Sequence, residues 1–371
     1  MLHAGARAES VAAGGTTTQL ADLGIHDAEQ LVAIAGIDEN HDGLAGSLGI
    51  TKEEVDGMVK EARSVLPPGL AAQMEQPLPP LYGLGALEPP PEMRAQVATP
   101  ESIGLLATVS LPLSVNLISF MSPVRFQGAR GTCVSFALTA IHEYARRAQG
   151  TPEDFSEQYL YHQMKLIDGS VACGTWQRYG AQVLGTKGQC LEITWPYNPN
   201  LPCNKNGVLP PDADSEAAEY PTSLVPVVST DVAAIKAALA DRRPVGISIP
   251  VYNSWYLNPE TQRSGRITMP LSNDVQAGGH AVCLVGYQDD PSSPGGGYFI
   301  LRNSWGTNWG YQDPYGQGYG TIAYQYISGY CWETYTLASQ VSSAPKPVAR
   351  REGAERTITI RVKGNVNLII E

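Results

Sequence analysis

A cysteine at the start of an apolar helical stretch is well placed for thiol chemistry. Residues 127–136 read QGARGTCVSF, and the apolar spacing after Cys133 predicts a long helix that ends near Gly150. The positive end of a helix dipole and the free amides of the first turn stabilise a thiolate and lower its pKa. Gln127 lies six residues upstream, on a turn from which its carboxamide could donate to an oxyanion. The pattern predicts a thiolate nucleophile at Cys133 and an oxyanion donor at Gln127.

A thiol nucleophile also needs a base, held in place by a third group. Of the six histidines, His280 follows two glycines and opens the strand-like run AVCLVGY, where a ring can project into a cleft. Asn303 ends the next strand-like run, 23 residues later. Adjacent antiparallel strands would bring its side-chain oxygen to the ring N–H of His280, with Trp305 shielding the bond from water. The spacing predicts a Cys-His-Asn set.

Three separated blocks of this sequence, QGARGTC, GGHAVCLVGY and LRNSWGTNWG, resemble in chain order the catalytic blocks of papain-like cysteine peptidases. The resemblance covers roughly residues 111–337 and is to a bacterial-type variant of the family. It implies that Cys133 is the nucleophile and that His280 is the base and later the acid. It implies further that Asn303 orients the ring and that Gln127 donates to the oxyanion.

The order of the patterns and the resemblance together predict the fold. Helical patterns come first and alternating apolar runs follow, which is typical of an α+β arrangement. The resemblance adds a papain-like two-lobed fold, with a helical lobe and an antiparallel, β-barrel-like lobe, preceded by a small all-helical module. It suggests substrate contacts at Gly174, Thr175, Gly279 and Trp305, and it implies neither a metal site nor a cofactor.

The chain departs from the family pattern near the nucleophile. Arg130 stands where the family usually has a disulfide cysteine, and Val134 replaces the usual aromatic residue. The stretch DDPSSPGGG at 289–297 reads as an insertion between the strands that carry His280 and Asn303. The catalytic groups are retained, but the turn around Arg130 must be held in another way.

The six cysteines include no C-x-x-C pair, which argues against a zinc ribbon or a redox motif. Cys190 and Cys203 flank a loop rich in proline and asparagine, so a disulfide and two free thiols are both open for them. The pairing of Cys173 and Cys331 is open as well. Cys283, inside an apolar strand-like run, is interpreted as a core residue.

Composition divides the chain into four parts. Residues 1–66 form a small acidic helical module that resembles helix-hairpin-helix units, residues 67–110 a proline-rich linker that disfavours regular structure, and residues 111–340 the peptidase-like domain. Residues 341–371 predict a linker and a C-terminal β-hairpin. Residues 38–49 match only half of a calcium-binding loop, because Gly49 stands where the bidentate glutamate is needed.

The charge distribution narrows the possible partners. The net charge is −11, and residues 1–100 hold 14 acidic against five basic residues. Such acidity disfavours nucleic acid, whose phosphates require lysine and arginine. No apolar run approaches the roughly 20 residues of a membrane span, and no signal peptide is evident. These features predict a peptide or protein substrate, no nucleic acid, no membrane, and a chain that is cytoplasmic or exported by a non-classical route.

The leading functional hypothesis is a cysteine endopeptidase made as a precursor, whose N-terminal region docks on its own catalytic domain and blocks the cleft. Two alternatives use the same catalytic residues. A peptide ligase or transpeptidase would differ by excluding water from the acyl-enzyme. A peptidase whose N-terminal module is a permanent adaptor to a protein partner would keep that module throughout.

Overall fold

The computed structural model describes residues 14–94, 111–202 and 205–339 and begins with a helical module. The two Leu-Gly-Ile tripeptides end helices, because Gly24 and Gly49 adopt the left-handed conformation with φ of 74° and 65°. Thr51 and Glu54 form a capping box, in which the side chain of each accepts from the backbone amide of the other. The helices are α1 (Gly14–Asp22), α2 (Ala28–Ala35), α3 (Asn40–Leu48), α4 (Lys52–Val65) and α5 (Pro68–Met74).

Two predictions for the N-terminal region need correction. The proline-rich linker is not free of regular structure, since it contains α5 and the short α6 (Pro91–Arg94). Pro68 is tolerated because the first helical residue needs no hydrogen-bond donor. Ala71 and Met74 of α5 lie in the core of the module, so the module extends to residue 74 rather than 66. Helix α3 occupies most of the half-matched calcium loop.

The first lobe of the catalytic domain is helical, as predicted. Its longest helix, α7 (Cys133–Ala148), is followed by Gly150 at φ 83°, which stops it near the expected residue. Gly246 allows this helix to approach the sheet, because a β-carbon there would press against Leu138 and Ile141. The other helices of this lobe are α8 (Glu157–Asp168), α9 (Gln177–Thr186) and α10 (Ala213–Ala217).

The second lobe is built on an eight-stranded sheet. Its strands are β1 (Ser114–Asn116), β2 (Leu224–Pro226), β3 (Val245–Tyr252), β4 (Arg266–Ile267), β5 (Gln276–Asp289), β6 (Gly297–Arg302), β7 (Tyr319–Ala323) and β8 (Glu333–Leu337). They pair in the order β2-β8-β3-β5-β6-β7-β4, with β1 also on β5. The intervening helices are α11 (Val232–Ala240), α12 (Asn253–Tyr256), α13 (Pro259–Ser264) and α14 (Tyr324–Tyr330).

The predicted two-lobed fold is confirmed, with one refinement. All pairings are antiparallel except that of β4 with β7, so the sheet is mixed rather than antiparallel throughout. The central strand β5 is buried over most of its length and pairs with both β3 and β6. Residue 280 lies on β5, and residue 303 directly follows β6, so the sheet brings these two positions together.

The structure decides between the two states that the sequence left open for Cys190. Cys190 is a buried free thiol, so it does not form the disulfide considered for it, and its partner in that proposal, Cys203, lies outside the described residues. Burial in an apolar cluster with Trp195 suits a neutral thiol. Cys283 and Cys331 are also buried and free, whereas Cys173 is disulfide-bonded. The expected C-terminal hairpin lies outside the described residues as well.

The helical module is docked on the catalytic domain by an apolar plug and by ion pairs. Leu271 is 6% exposed and is the catalytic-domain side chain inside the apolar core of the module. Arg263 pairs with Glu29, and Arg266 pairs with Asp27 at 2.8 Å. These contacts attach α2 to the segment 263–271. Within the described ranges, no helix has the length and hydrophobicity that a membrane crossing requires.

Truncating the Leu271 side chain should weaken the docking of the helical module. We expect Leu271→Ala to destabilise docking by about 2–4 kcal/mol, because it leaves a cavity between the two parts. Amide hydrogen exchange should then speed up in α2 and α3 but not in α7. The control is Leu113→Ala, which changes a leucine that is 72% exposed. Unchanged exchange in α2 and α3 would contradict the assignment of Leu271 as the anchor.

Three carboxylic acids of the catalytic domain share an environment that penalises their charge. Burial raises the pKa values of Glu192, Asp313 and Glu333 to about 7. The folded state therefore holds these protons more tightly than the unfolded state. Each group makes its full contribution to stability below about pH 4, and the contribution is lost as the pH rises through about 7.

The variant Asp313→Asn tests this pH dependence. When the pH is raised from 5 to 8, the change in melting temperature should be more favourable for Asp313→Asn than for the parent. The reason is that the variant lacks one carboxylic acid whose pKa is raised by burial. Buried histidines titrate in the opposite sense, and comparison with the parent cancels their effect. Asp290→Asn is the control, since hydrogen bonds from Ser292 lower the pKa of Asp290 and its titration ends below pH 5. Identical pH profiles for parent and Asp313→Asn would disprove the assignment.

Candidate active site

The nucleophile candidate begins α7 and is fully buried. Cys133 is the first residue of the helix and has 0% exposed surface. Backbone amides of Val134, Ala281 and Gly85 interact with its thiol. Ala281 directly follows His280 on β5, so the helix N-terminus and the centre of the sheet meet at the sulfur. Gly85 belongs to the N-terminal region, which therefore reaches the site.

The predicted base and its orienting residue form the expected contact. His280 Nε2 lies 2.8 Å from Asn303 Oδ1, and the ring is 1% exposed. Asn303 Oδ1 also accepts from the backbone amide of Ser304 at 2.8 Å, which fixes its orientation. Trp305 stacks on the ring of His280 with centroids 4.4 Å apart. The second ring nitrogen, Nδ1, is buried without a hydrogen-bond partner in the described structure.

The carboxamide of Gln127 is held on both of its polar atoms. Ser304 Oγ donates to Gln127 Oε1 at 2.6 Å. Gln127 Nε2 donates to the carbonyl of Arg130 at 2.7 Å and to the carbonyl of Gly83 at 3.0 Å. One of its two N–H groups thus holds the turn at Arg130, and the other donates to the carbonyl of Gly83 in the N-terminal region.

An extended segment of the N-terminal region, residues 82–88, crosses the site, and we call it the strap. At one end the ring of Tyr82 stacks on Trp305, with centroids 4.6 Å apart and planes inclined by 6°. The hydroxyl of Tyr256 donates to the carbonyl of Tyr82, and Gln262 Nε2 donates to the Tyr82 hydroxyl at 3.2 Å. Next along the chain, the amide of Gly83 donates to the carbonyl of Gly128 at 3.0 Å. The strap is therefore fixed on the side of Trp305.

The other half of the strap lies on the residues suggested as substrate contacts. Thr175 donates its amide to the carbonyl of Gly85 and accepts from the amide of Leu87, both at 3.0 Å. The amide of Ala86 donates to the carbonyl of Gly279 at 3.0 Å. Gly174 leaves room for the side chain of Leu87, which a β-carbon there would displace. Together with Trp305, all four suggested positions contact the strap.

The turn that connects Gln127 with Cys133 is called the oxyanion turn. Glycine is required where the strap passes it. A β-carbon on Gly83 would overlap the carbonyl of Arg130, and one on Gly85 would overlap the carbonyl of Gly131. The two backbones are therefore closer than any residue with a side chain allows. In the sequence, residues 82–88 (YGLGALE) fall within the predicted proline-rich linker. Their alternating glycines after an aromatic residue were the signal of a close backbone approach.

Burial under the strap keeps the catalytic pair neutral. Desolvation raises the pKa of the Cys133 thiol to about 11, although backbone amides act in the opposite direction. Desolvation also lowers the pKa of His280 to about 4, despite its bond to Asn303. The prediction of a lowered thiol pKa is thus wrong for this closed state, because the loss of water outweighs the stabilisation at the helix N-terminus. Among the described residues, no group of acidic, histidine and cysteine side chains could hold a metal ion.

Comparison with known proteins agrees with this geometry. Residues 114–341 match the family model described as "Papain family cysteine protease". The chain belongs to the papain family. It is 27% identical over 215 residues to an uncharacterised peptidase C1-like protein of Acanthamoeba polyphaga mimivirus, covering 54% of this chain and 64% of the relative. Mouse pro-cathepsin H is 27% identical over 193 residues, covering 51% of this chain and 54% of the relative.

The solved structures include a bacterial protein with the same fold. Xylellain, a cysteine protease from Xylella fastidiosa, superimposes with a TM-score of 0.56 at 29% identity, over 70% of this chain and 96% of its own. The two curated relatives, by contrast, are matched over only about half to two thirds of their length. The name of the mouse relative, pro-cathepsin H, denotes a proenzyme.

Displacing the strap should expose the thiol. We expect Gly85→Ala to increase the alkylation rate of Cys133 by iodoacetamide at pH 7 about tenfold or more, because water then reaches a thiol that burial keeps protonated. The rate is followed on the peptide that contains Cys133 by mass spectrometry. The matched control is Gly69→Ala, at a glycine with open space around it. Equal rates in parent and Gly85→Ala would show that the strap does not limit access.

Proposed function

We propose that this protein is a cysteine endopeptidase made as an inactive precursor, with the strap as the blocking segment and the helical module as its anchor. The observation that carries the proposal is the set formed by Cys133, His280 and Asn303, covered by a segment that occupies every suggested substrate contact. Family membership supports the chemistry, and the strap supports the precursor state.

The catalytic residues can perform the whole reaction without a cofactor. Once the strap leaves, water and substrate replace it, and His280 can take the thiol proton to give a thiolate and an imidazolium. The sulfur attacks the peptide carbonyl, and Gln127 Nε2 with the amide of Cys133 donates to the oxyanion. The imidazolium then protonates the leaving amine. Water hydrolyses the thioester with His280 as the base, which restores the thiol.

The strap lies in the cleft in a register that does not suit cleavage. Gln127 holds the carbonyl oxygen of Gly83, whereas the Cys133 thiol meets the amide of Gly85. Attack requires one and the same carbonyl group at the sulfur and at the oxyanion donor. Because these two contacts belong to different peptide units, the strap can remain uncut while it blocks the cleft.

Intact-mass measurement of the full chain tests the proposal. We expect incubation under reducing conditions at pH 5 to remove about the first hundred residues, by cleavage on the C-terminal side of the strap. The Cys133→Ala protein should remain whole under the same conditions, and an incubation at pH 7 shows whether processing depends on acid.

Labelling separates the remaining possibilities. A processed enzyme should react at Cys133 with an electrophilic peptide analogue and should hydrolyse peptides. Labelling and hydrolysis without loss of the N-terminal region would favour a permanent adaptor over a precursor. Transfer of the acyl group to an added amine in preference to water would favour a ligase. No labelling of Cys133 in the Gly85→Ala protein at neutral pH would overturn the proposed peptidase activity.

A further inference from the structure

Arg130 lies buried in the middle of the turn that connects the oxyanion donor to the nucleophile. Its side chain is almost completely enclosed, with 2% of the residue exposed. Nη1 donates to Gln158 Oε1 at 2.8 Å and to the carbonyl of Asn198 at 2.9 Å, and Nη2 donates to Asn206 Oδ1 at 3.4 Å. The guanidinium therefore ties the turn to α8, Asn198 and Asn206.

Two tyrosines enclose the same guanidinium. Its carbon lies 5.4 Å from the ring centroid of Tyr161 and 5.2 Å from that of Tyr197, within cation–π range. Tyr197 also closes the turn, since its hydroxyl donates to the carbonyl of Gln127 at 2.7 Å and accepts from the Thr132 hydroxyl at 2.7 Å. The Arg130 side chain thus packs on the ring that joins the two ends of the turn.

The backbone of Arg130 sets the direction of the oxyanion donor. Its carbonyl accepts one proton of Gln127 Nε2 at 2.7 Å, and Ser304 fixes the other end of the carboxamide. With one proton used in this way, the second can point only toward the cleft, where the carbonyl of Gly83 now lies. A displacement of the Arg130 carbonyl would therefore rotate the donor away from the substrate position.

We propose that the Arg130 side chain is a positioning residue for catalysis, which holds its own carbonyl in the place that aims Gln127 Nε2 at the substrate oxygen. The inference rests on the proposed peptidase function. The planar guanidinium suits this task because it can reach three separate neutral acceptors and still lie between two rings. A lysine has one compact ammonium group and cannot reproduce that arrangement.

The kinetic test uses the full chain carrying Gly85→Ala, so that the strap does not limit access. In that background we expect Arg130→Met to lower kcat about 10- to 100-fold with KM within about threefold, because the donor acts mainly on the transition state. Arg130→Lys should recover little of the loss. The control is Arg243→Met, which removes an arginine that is also 2% exposed and binds the carbonyl of Leu337, away from the turn.

A double mutant separates positioning from simple stabilisation. If Arg130 acts through Gln127, Arg130→Met should lower kcat less than about threefold when Gln127→Ala is already present. The proposal is overturned if Arg130→Met lowers only the melting temperature, as Arg243→Met is expected to do. It is overturned equally if the loss in kcat is the same with and without Gln127→Ala.

A structural readout keeps the test independent of activity. The crystal structure of the full chain with Arg130→Met should show the Gln127 carboxamide turned away from the residue 130 carbonyl. An unchanged carboxamide would refute the positioning role even if the chain had no peptidase activity. Conversely, a rotated carboxamide in a chain whose Cys133 cannot be labelled would leave the role of Arg130 intact and overturn the proposed function alone.

Discussion

The packing of the α7 N-terminus against β5 is the contact on which the rest of the site depends. It places the Cys133 thiol against the amide of Ala281, next to His280. The sheet then supplies the orienting residue, because β6 pairs with β5 and ends beside it. Neither lobe holds a complete catalytic set, so the chemistry exists only where the two lobes meet.

The burial that positions the side chains of the site also disfavours the charged forms of Cys133 and His280. Proton transfer from a thiol to an imidazole creates two charges, and water stabilises those charges. The strap excludes this water, so the neutral forms are favoured. In the proposed precursor the strap therefore acts in two ways, by filling the proposed substrate positions and by keeping Cys133 and His280 in their neutral forms. Its binding relies on backbone hydrogen bonds and close glycine contacts, while an apolar plug and ion pairs attach the module beside it.

The oxyanion turn shows how a loop can be fixed without a covalent bond. Arg130 stands where the family usually has a disulfide cysteine. Its hydrogen bonds to three neutral acceptors and its packing between two aromatic rings hold the backbone instead. Burying a cation is costly unless its donors are paired, so those partners are needed together, and Nε of Arg130 has no partner in the described structure. Gln158 of α8 and Tyr197 lie far from Arg130 in the sequence, so residues of separate segments support this turn.

The sequence by itself determined the family resemblance, the two-lobed fold, the span of α7 and the pairing of His280 with Asn303. Those features depend on local periodicity, capping and the order of motifs, which a linear pattern records. Only the tertiary structure decided the position of the strap, the neutral state of Cys133 and His280, and the partners of Arg130. These depend on contacts between distant residues, such as Gln127 with Gly83 across 44 positions and Arg263 with Glu29 across 234. The thiol pKa was mispredicted for the same reason, since desolvation is set by whatever covers a group in space rather than by its neighbours in sequence.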